Sequence, residues 1–241
     1  MSIWFRFRPV PFVATLLLMA VGIAAGQWQT RRAAEKQAIA AQLAQRAASP
    51  LLLVDARPLR IDEVEYRRIS VSGEFLPNWP VYLDNRPYQG VAGLYVLMPF
   101  RIAGSKMHVL IARGWLPRNP ADRKKLPAIP TPAGMITVQG VARGNPGRLL
   151  QLGQQDAVRP GAILQNLEVA GFAQASGLQL QPFVLEQSSA LPDGLVRNWP
   201  QPSSGIDRHR GYAFQWFALS AMAFLFFVAT GFRRGTKSAK A

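Results

Sequence analysis

The chain has 241 residues, with 28 Lys and Arg against 13 Asp and Glu, two histidines and no cysteine, giving a formal net charge of +15. Without thiols it has no thiolate nucleophile, no cysteine zinc site and no iron–sulfur ligand set, and an exported domain would be stabilised by its core rather than by disulfides. Of the six methionines only Met98, Met107 and Met135 lie between the apolar ends, too few soft ligands for a dedicated copper carrier.

Pro9 to Thr30 is the first of two 22-residue stretches without a charge; Gly211 to Phe232 is the second. At a rise of ~1.5 Å per residue, each can cross a hydrocarbon layer of ~30 Å as a helix. Arg6 and Arg8 ahead of the first stretch, with Ala24, Ala25 and Gly26 at its end, also fit a cleavable signal sequence. The length of the apolar run, the Gln27-Trp28 after it and the small-xxx-small pair Gly22 and Gly26 favour a retained helix that packs on another. The layout is therefore a tail (1–8), a transmembrane helix (9–30), a soluble domain (31–210), a second transmembrane helix (211–232) and a tail (233–241). The tails hold Arg6, Arg8, Arg233, Arg234, Lys237 and Lys240 and no acid, whereas all 13 acidic residues fall within 31–210. Basic, acid-free tails predict cytoplasmic termini and an exported middle; a domain this long is translocated largely regardless of its own charge.

Gln29 to Ala48 is rich in Ala, Gln, Arg and Lys and predicts a stalk that continues the first helix outward, stopped at Ser49-Pro50. Leu51 to Pro58 is an apolar connection able to pack on the domain. Strand patterning begins at "YRRISVSGEF" (66–75), with Gly73 as a bulge or bend. "VYLDNRPYQG" (81–90) predicts a short strand and a turn around Asn85 and Pro87. "GLYVLMPFRI" (93–102) and "MHVLIARGW" (107–115) flank a hairpin loop, "AGS". "MITVQGVAR" (135–143) and "PFVLEQ" (182–187) are further strands, residues 117–132 a loop, and 167–176 a short helix capped by Gly177. The fold class is an α+β membrane protein: two transmembrane helices flanking an exported, antiparallel β-rich domain, a curled sheet or partial barrel.

Motifs for catalysis are missing. The chain has no G-x-S-x-G elbow and no phosphate loop. His108, inside an apolar strand, reads as a packed or edge histidine, and Asp62, Glu63 and Glu65 as a solvated turn. The longest basic run, Arg123-Lys124-Lys125, is a poor nucleic-acid footprint on an exported domain; the positive balance suits anionic lipid or an anionic ligand. In "DRHRGYAFQWF" (207–217), helical spacing aligns His209, Tyr212, Ala213, Trp216 and Ser220, with Trp216 about 10 Å deeper than His209. An imidazole at the outer surface, aromatics below it and Arg208 and Arg210 beside it suit a haem with its propionates toward water. The same order also describes an ordinary aromatic belt at a membrane interface.

Five stretches in order, "GQWQTRRAAEK", "YRRISVSGEF", "LDNRPYQGVAGLYVLMPF", "VLIARGWLPRN" and "DRHRGYAFQWFALS", resemble the surfeit locus protein 1 family of cytochrome c oxidase assembly factors. The resemblance covers nearly the whole chain. It implies an integral membrane factor, not an enzyme, that assists assembly of a haem-copper oxidase around its catalytic subunit and works with haem a and the proteins that make or deliver it. The family's proposed haem contact falls on His209, a possible iron ligand, followed by Tyr212, Trp216 and Phe217. Matching positions in the domain are Gly73, Asn85, Arg86, Gly93, Arg113, Gly114, Trp115 and Pro117. Arg86 and Arg113 are candidates for an acidic partner or a haem propionate, with a satisfied structural arginine as the alternative for each. Only eight residues precede Pro9, which fits a bacterial inner-membrane protein rather than a mitochondrial precursor. The alternatives are a haem-free scaffold that clamps the oxidase subunit, an exported hydrolase or transferase, and an envelope protein bound to acidic lipid.

Overall fold

A computed structural model describes residues 3–5, 7–122, 125–150, 156–200 and 205–234. Arg6, Lys237 and Lys240 of the basic tails, and Arg123 and Lys124 of the basic run, lie outside these residues. The chain divides into a helical unit, 1–42 with 202–241, and a β unit, 43–201. The stalk thus groups largely with the helices, not with the domain that the sequence places from residue 31.

In the helical unit, α1 (Pro9–Ala48) is one continuous 40-residue helix and α4 (Ile206–Gly231) has 26 residues; a short antiparallel pair, β1 (Ile3–Phe5) with β10 (Phe232–Arg234), joins the N-terminal end of α1 to the C-terminal end of α4. α1 extends ~60 Å, so the transmembrane segment and the stalk form one rod. Both helices are long and apolar enough to cross a membrane. Val13, Leu17, Leu18 and Val21 on α1 and Phe214, Leu219, Leu225 and Phe226 on α4 point outward unburied, which in water would leave a large apolar surface and in lipid matches the solvent. The seam between the helices is made of small residues. Gly22, Gly26 and Ala33 on α1 and Ala213 and Ser220 on α4 are buried. A β-carbon on Gly26 would lie 2.7 Å from the Phe217 ring, and one on Gly22 would fall onto the Ser220 hydroxyl. The close-packing role expected of Gly22 and Gly26 is thus the role they have.

In chain order the β unit contains β2 (Leu52–Val54), α2 (Ile61–Val64), β3 (Arg68–Phe75), β4 (Val81–Leu83), β5 (Gly93–Ile102), β6 (Met107–Pro117), β7 (Ile136–Arg143), β8 (Ile163–Leu164), α3 (Val169–Ser176) and β9 (Gln179–Gln187). The strands are ordered β2-β3-β7-β9-β6-β5-β4-β8, and β3 also pairs with β5. That pairing closes β3, β7, β9, β6 and β5 into a partial five-stranded barrel. Its interior takes apolar side chains from all five strands, among them Val71, Phe100, Ile111, Val138 and Phe183. A second apolar cluster covers the outer face, where Phe172 of α3 and Leu164 of β8 pack on Leu97, Leu110 and Val184.

The antiparallel expectation holds around most of the ring and fails at β6–β9, which is parallel, as are the short edge pairings β2–β3 and β4–β8. A parallel neighbour needs a crossover between its strands, and here α3 is part of it. Gly73 is not a bulge. There β3 pairs with Ile136 on one side and Ile102 on the other, in unbroken register with β7, and a β-carbon would collide with the carbonyl oxygen of Arg101. Glycine allows the backbone approach that closes the ring. The bulge is instead in β6: Leu97 faces Ala112 and Val96 faces Gly114, leaving Arg113 as the extra residue.

Candidate functional site

The bulge explains the "ARGW" stretch. Arg113 turns into the interior, 0% exposed, and its guanidinium donates to Asp193 Oδ2 at 2.9 Å, Thr131 Oγ1 at 2.7 Å and the Pro130 carbonyl at 2.8 Å, while its Cζ lies 4.7 Å from the Phe75 ring centroid. Arg197 shares the same Asp193 oxygen. Burial pushes the Arg113 guanidinium pKa down and Asp193 offsets part of that. Gly114 leaves room for Leu195 and Val196, and Trp115 exchanges both backbone hydrogen bonds with Val196. The Trp115 indole donates to the Arg86 carbonyl at 2.6 Å and lies against Gly93.

Arg86 is also enclosed. Its Nη2 donates to the carbonyls of Gly147 (2.8 Å) and Gln165 (3.2 Å), and its Cζ is 5.7 Å from the Tyr95 ring centroid. Burial lowers its pKa as well. Nε and Nη1 are buried without a hydrogen-bond partner among the described residues. Asn85, ahead of it, has φ +57°, a conformation that asparagine tolerates better than most side chains. Arg86, Gly93 and Trp115 therefore interlock, while Arg113 closes a separate buried cluster with Asp193. Of the two roles open to Arg86 and Arg113, the structural one accounts for every bond they make, and Arg113 has no surface to offer a propionate.

His108 is the packed histidine that the sequence suggests: it is buried, and its Nδ1 is 3.1 Å from the Gln179 carbonyl. Burial lowers its pKa. Glu186 carried no sequence signal, being one acid in an apolar strand, yet burial pushes its carboxyl up to about 7, with Arg143 only partly opposing at 3.6 Å. The sign follows from proton uptake: between about pH 4.5 and 7 the folded state holds a proton that the unfolded chain releases, so this group makes stability fall as pH rises through that window. Denaturant unfolding at pH 5 and pH 8 should show a Glu186→Gln variant gaining on the parent at the higher pH by up to about 3 kcal/mol. An equal difference at both pH values would refute this.

In the helical unit the seam carries His209. Its imidazole is half-buried, and Nδ1 lies 2.6 Å from Oε1 of Gln29 on α1, so the ring N–H donates across the helix pair. Nε2 makes no hydrogen bond among the described residues. Farther along α1, Arg210 donates to Gln37 Oε1 at 2.9 Å, and Arg32 pairs with Glu35 at 2.8 Å beside Trp28. The five-residue face read from the sequence divides in two. Ala213 and Ser220 are covered by α1, while Tyr212 (47% exposed) and Trp216 (36%) stand on an open flank next to His209. The partner of the small residues is thus α1 itself, and a flat ligand would have only the flank. Gln29, missed as a site residue, lies within "GQWQTRRAAEK"; its link to His209 spans 180 positions and no local pattern reports it.

The model of the SURF1 family matches residues 16–221. A SURF1-like protein of Rickettsia bellii is 25% identical over 215 residues, covering 87% of this chain and 86% of that protein. A SURF1-like protein of Rickettsia felis is 31% identical over 106 residues, 43% of this chain and 45% of that protein. Surfeit locus protein 1 of Mus musculus is 24% identical over 232 residues, covering 88% and 73%.

Proposed function

The chain belongs to the SURF1 family, and from that premise we propose that it is a non-enzymatic assembly factor for haem-copper cytochrome c oxidase that presents haem a to the catalytic subunit. In this reading it spans a bacterial inner membrane twice, with both termini cytoplasmic and the barrel periplasmic; the acid-free tails support that orientation. Its partners are the oxidase catalytic subunit, the proteins that make or deliver haem a, and lipid; nucleic acid is not among them.

The observation that carries the proposal is His209. One ring nitrogen is engaged by Gln29, the other has no partner among the described residues, and two exposed aromatic rings stand on the adjoining flank. These residues fit a haem. When bound, the group would supply a porphyrin iron, for which neutral imidazole is a common ligand. The chain's part would be to hold the imidazole, to offer Tyr212 and Trp216 as apolar walls, and to supply the exposed Arg208 and Arg210 as cations for carboxylates. The barrel would contact the oxidase subunit.

A haem-free scaffold is favoured by one specific feature: the His209–Gln29 bond also clips the two helices together. A visible spectrum separates the two readings. Full-length protein purified in mild detergent from cells that make haem a should carry a stoichiometric haem a signal that His209→Ala abolishes, together with a fall in assembled oxidase. Oxidase of normal haem content in cells lacking the gene would sink the assembly role. Absence of haem in the wild type, with assembly still dependent on the gene, would leave the scaffold.

A further inference from the structure

We propose that Gln29 is a positioning residue for His209: its amide oxygen holds the imidazole proton on Nδ1, so that the lone pair offered to iron is that of Nε2. The inference rests on the haem reading above and adds to it a residue and a direction. An amide oxygen can only accept, so at 2.6 Å the ring nitrogen facing it must donate. In neutral imidazole a proton on Nδ1 leaves Nε2 as the acceptor or metal ligand. A bond from the non-ligating nitrogen to an oxygen also fixes the ring plane and raises the basicity of the ligating one.

Gln29 is held where it must be for this. It follows Gly22 and Gly26 on the seam face of α1, and Ala33 comes one turn later. The pairs Gly22 with Ser220, Gly26 with Phe217 and Gln29 with His209 run in antiparallel register along α4. The nearby cations do not take its oxygen: Arg210 donates to Gln37 and Arg32 to Glu35. The seam thus sets the depth of the amide, and the amide sets the imidazole.

The test is 15N NMR of histidine-labelled full-length protein, free of haem, in detergent at about pH 8.5. The His209 resonances should show a protonated Nδ1 and an unprotonated Nε2. Gln29→Leu should scramble that preference, Gln29→Glu, an acceptor alone, should keep it, and Gln29→Lys, a donor alone, should move the proton to Nε2. Titrated with haem a, Gln29→Leu should bind about 10- to 100-fold more weakly than the wild type and Gln29→Glu should recover the loss. A wild type with the proton on Nε2, or a Gln29→Leu variant with an unchanged tautomer, would overturn the proposal. If Gln29 controls the tautomer but no form binds haem a, the haem reading and its ligand role for Nε2 fall together. If His209-dependent haem binding persists unchanged in Gln29→Leu, the haem reading stands and the positioning role falls.

Discussion

Asp193→Asn is expected to destabilise the barrel by about 3–5 kcal/mol, the range for removing one partner of a buried ion pair. Arg113 is fully enclosed, and Asp193 is the anion that faces both it and Arg197. Asparagine keeps the shape and part of the hydrogen bonding but leaves a buried guanidinium without a counter-charge. For a unit of this size the unfolding temperature should drop by on the order of 10 °C, read by thermal melting of the full chain in detergent. Adding Arg113→Met should restore part of the loss, because the more deeply buried of the two charges leaves with its partner while Arg197 stays without one. Equal melting temperatures for the wild type and the single variant would show that Asp193 is not what balances Arg113.

The longer strands were legible because they alternate or run apolar between turn residues: 93–102 is β5 to the residue, the hairpin and the αL cap at Gly177 fall where their residue types put them, and the helix expected over 167–176 runs from Val169 to Ser176. Partnership was not legible. Alternation says which face a residue takes and nothing of which strand lies beside it, so the parallel β6–β9 contact and the ring closure at Gly73 were hidden. β2 and β8, three and two residues long, carry too short a pattern to read. In the same way, His209 was legible as an interfacial imidazole, but the face drawn through Ala213 and Ser220 could not be divided into seam and flank without knowing where α1 lies. Arg86 and Arg113 drew attention as cations able to grip a carboxylate; the bulge that turns Arg113 inward depends on a one-residue register shift that spacing alone does not reveal.

That dependence of the site on the seam leads to the largest functional effect expected of a residue with no ligand role. If His209 holds haem a as proposed, Gly22→Leu should abolish the haem a signal as completely as loss of the imidazole does, although Gly22 lies two helical turns from Gln29. Even one added carbon at Gly22 falls on the Ser220 hydroxyl and comes 3.1 Å from the Trp216 carbonyl. Overpacking of this kind costs about 1–3 kcal/mol, on the order of 10- to 100-fold in the helix-pairing equilibrium, and a leucine must force the helices apart. Once they part, Gln29 no longer reaches His209 and the tautomer preference goes with it, so the NMR readout and the haem spectrum should fail together. The smaller Gly22→Ala should be impaired in part, and Ser220→Gly in the same chain should largely rescue it, because that change removes the hydroxyl it strikes and leaves only the 3.1 Å approach to the Trp216 carbonyl. Rescue is the decisive outcome: a surface effect on insertion or expression would not be reversed by deleting a side chain on the opposite helix. If Gly22→Leu retained full haem a, the imidazole would be positioned by something other than the helix pair, and the coupling of seam to site would be wrong.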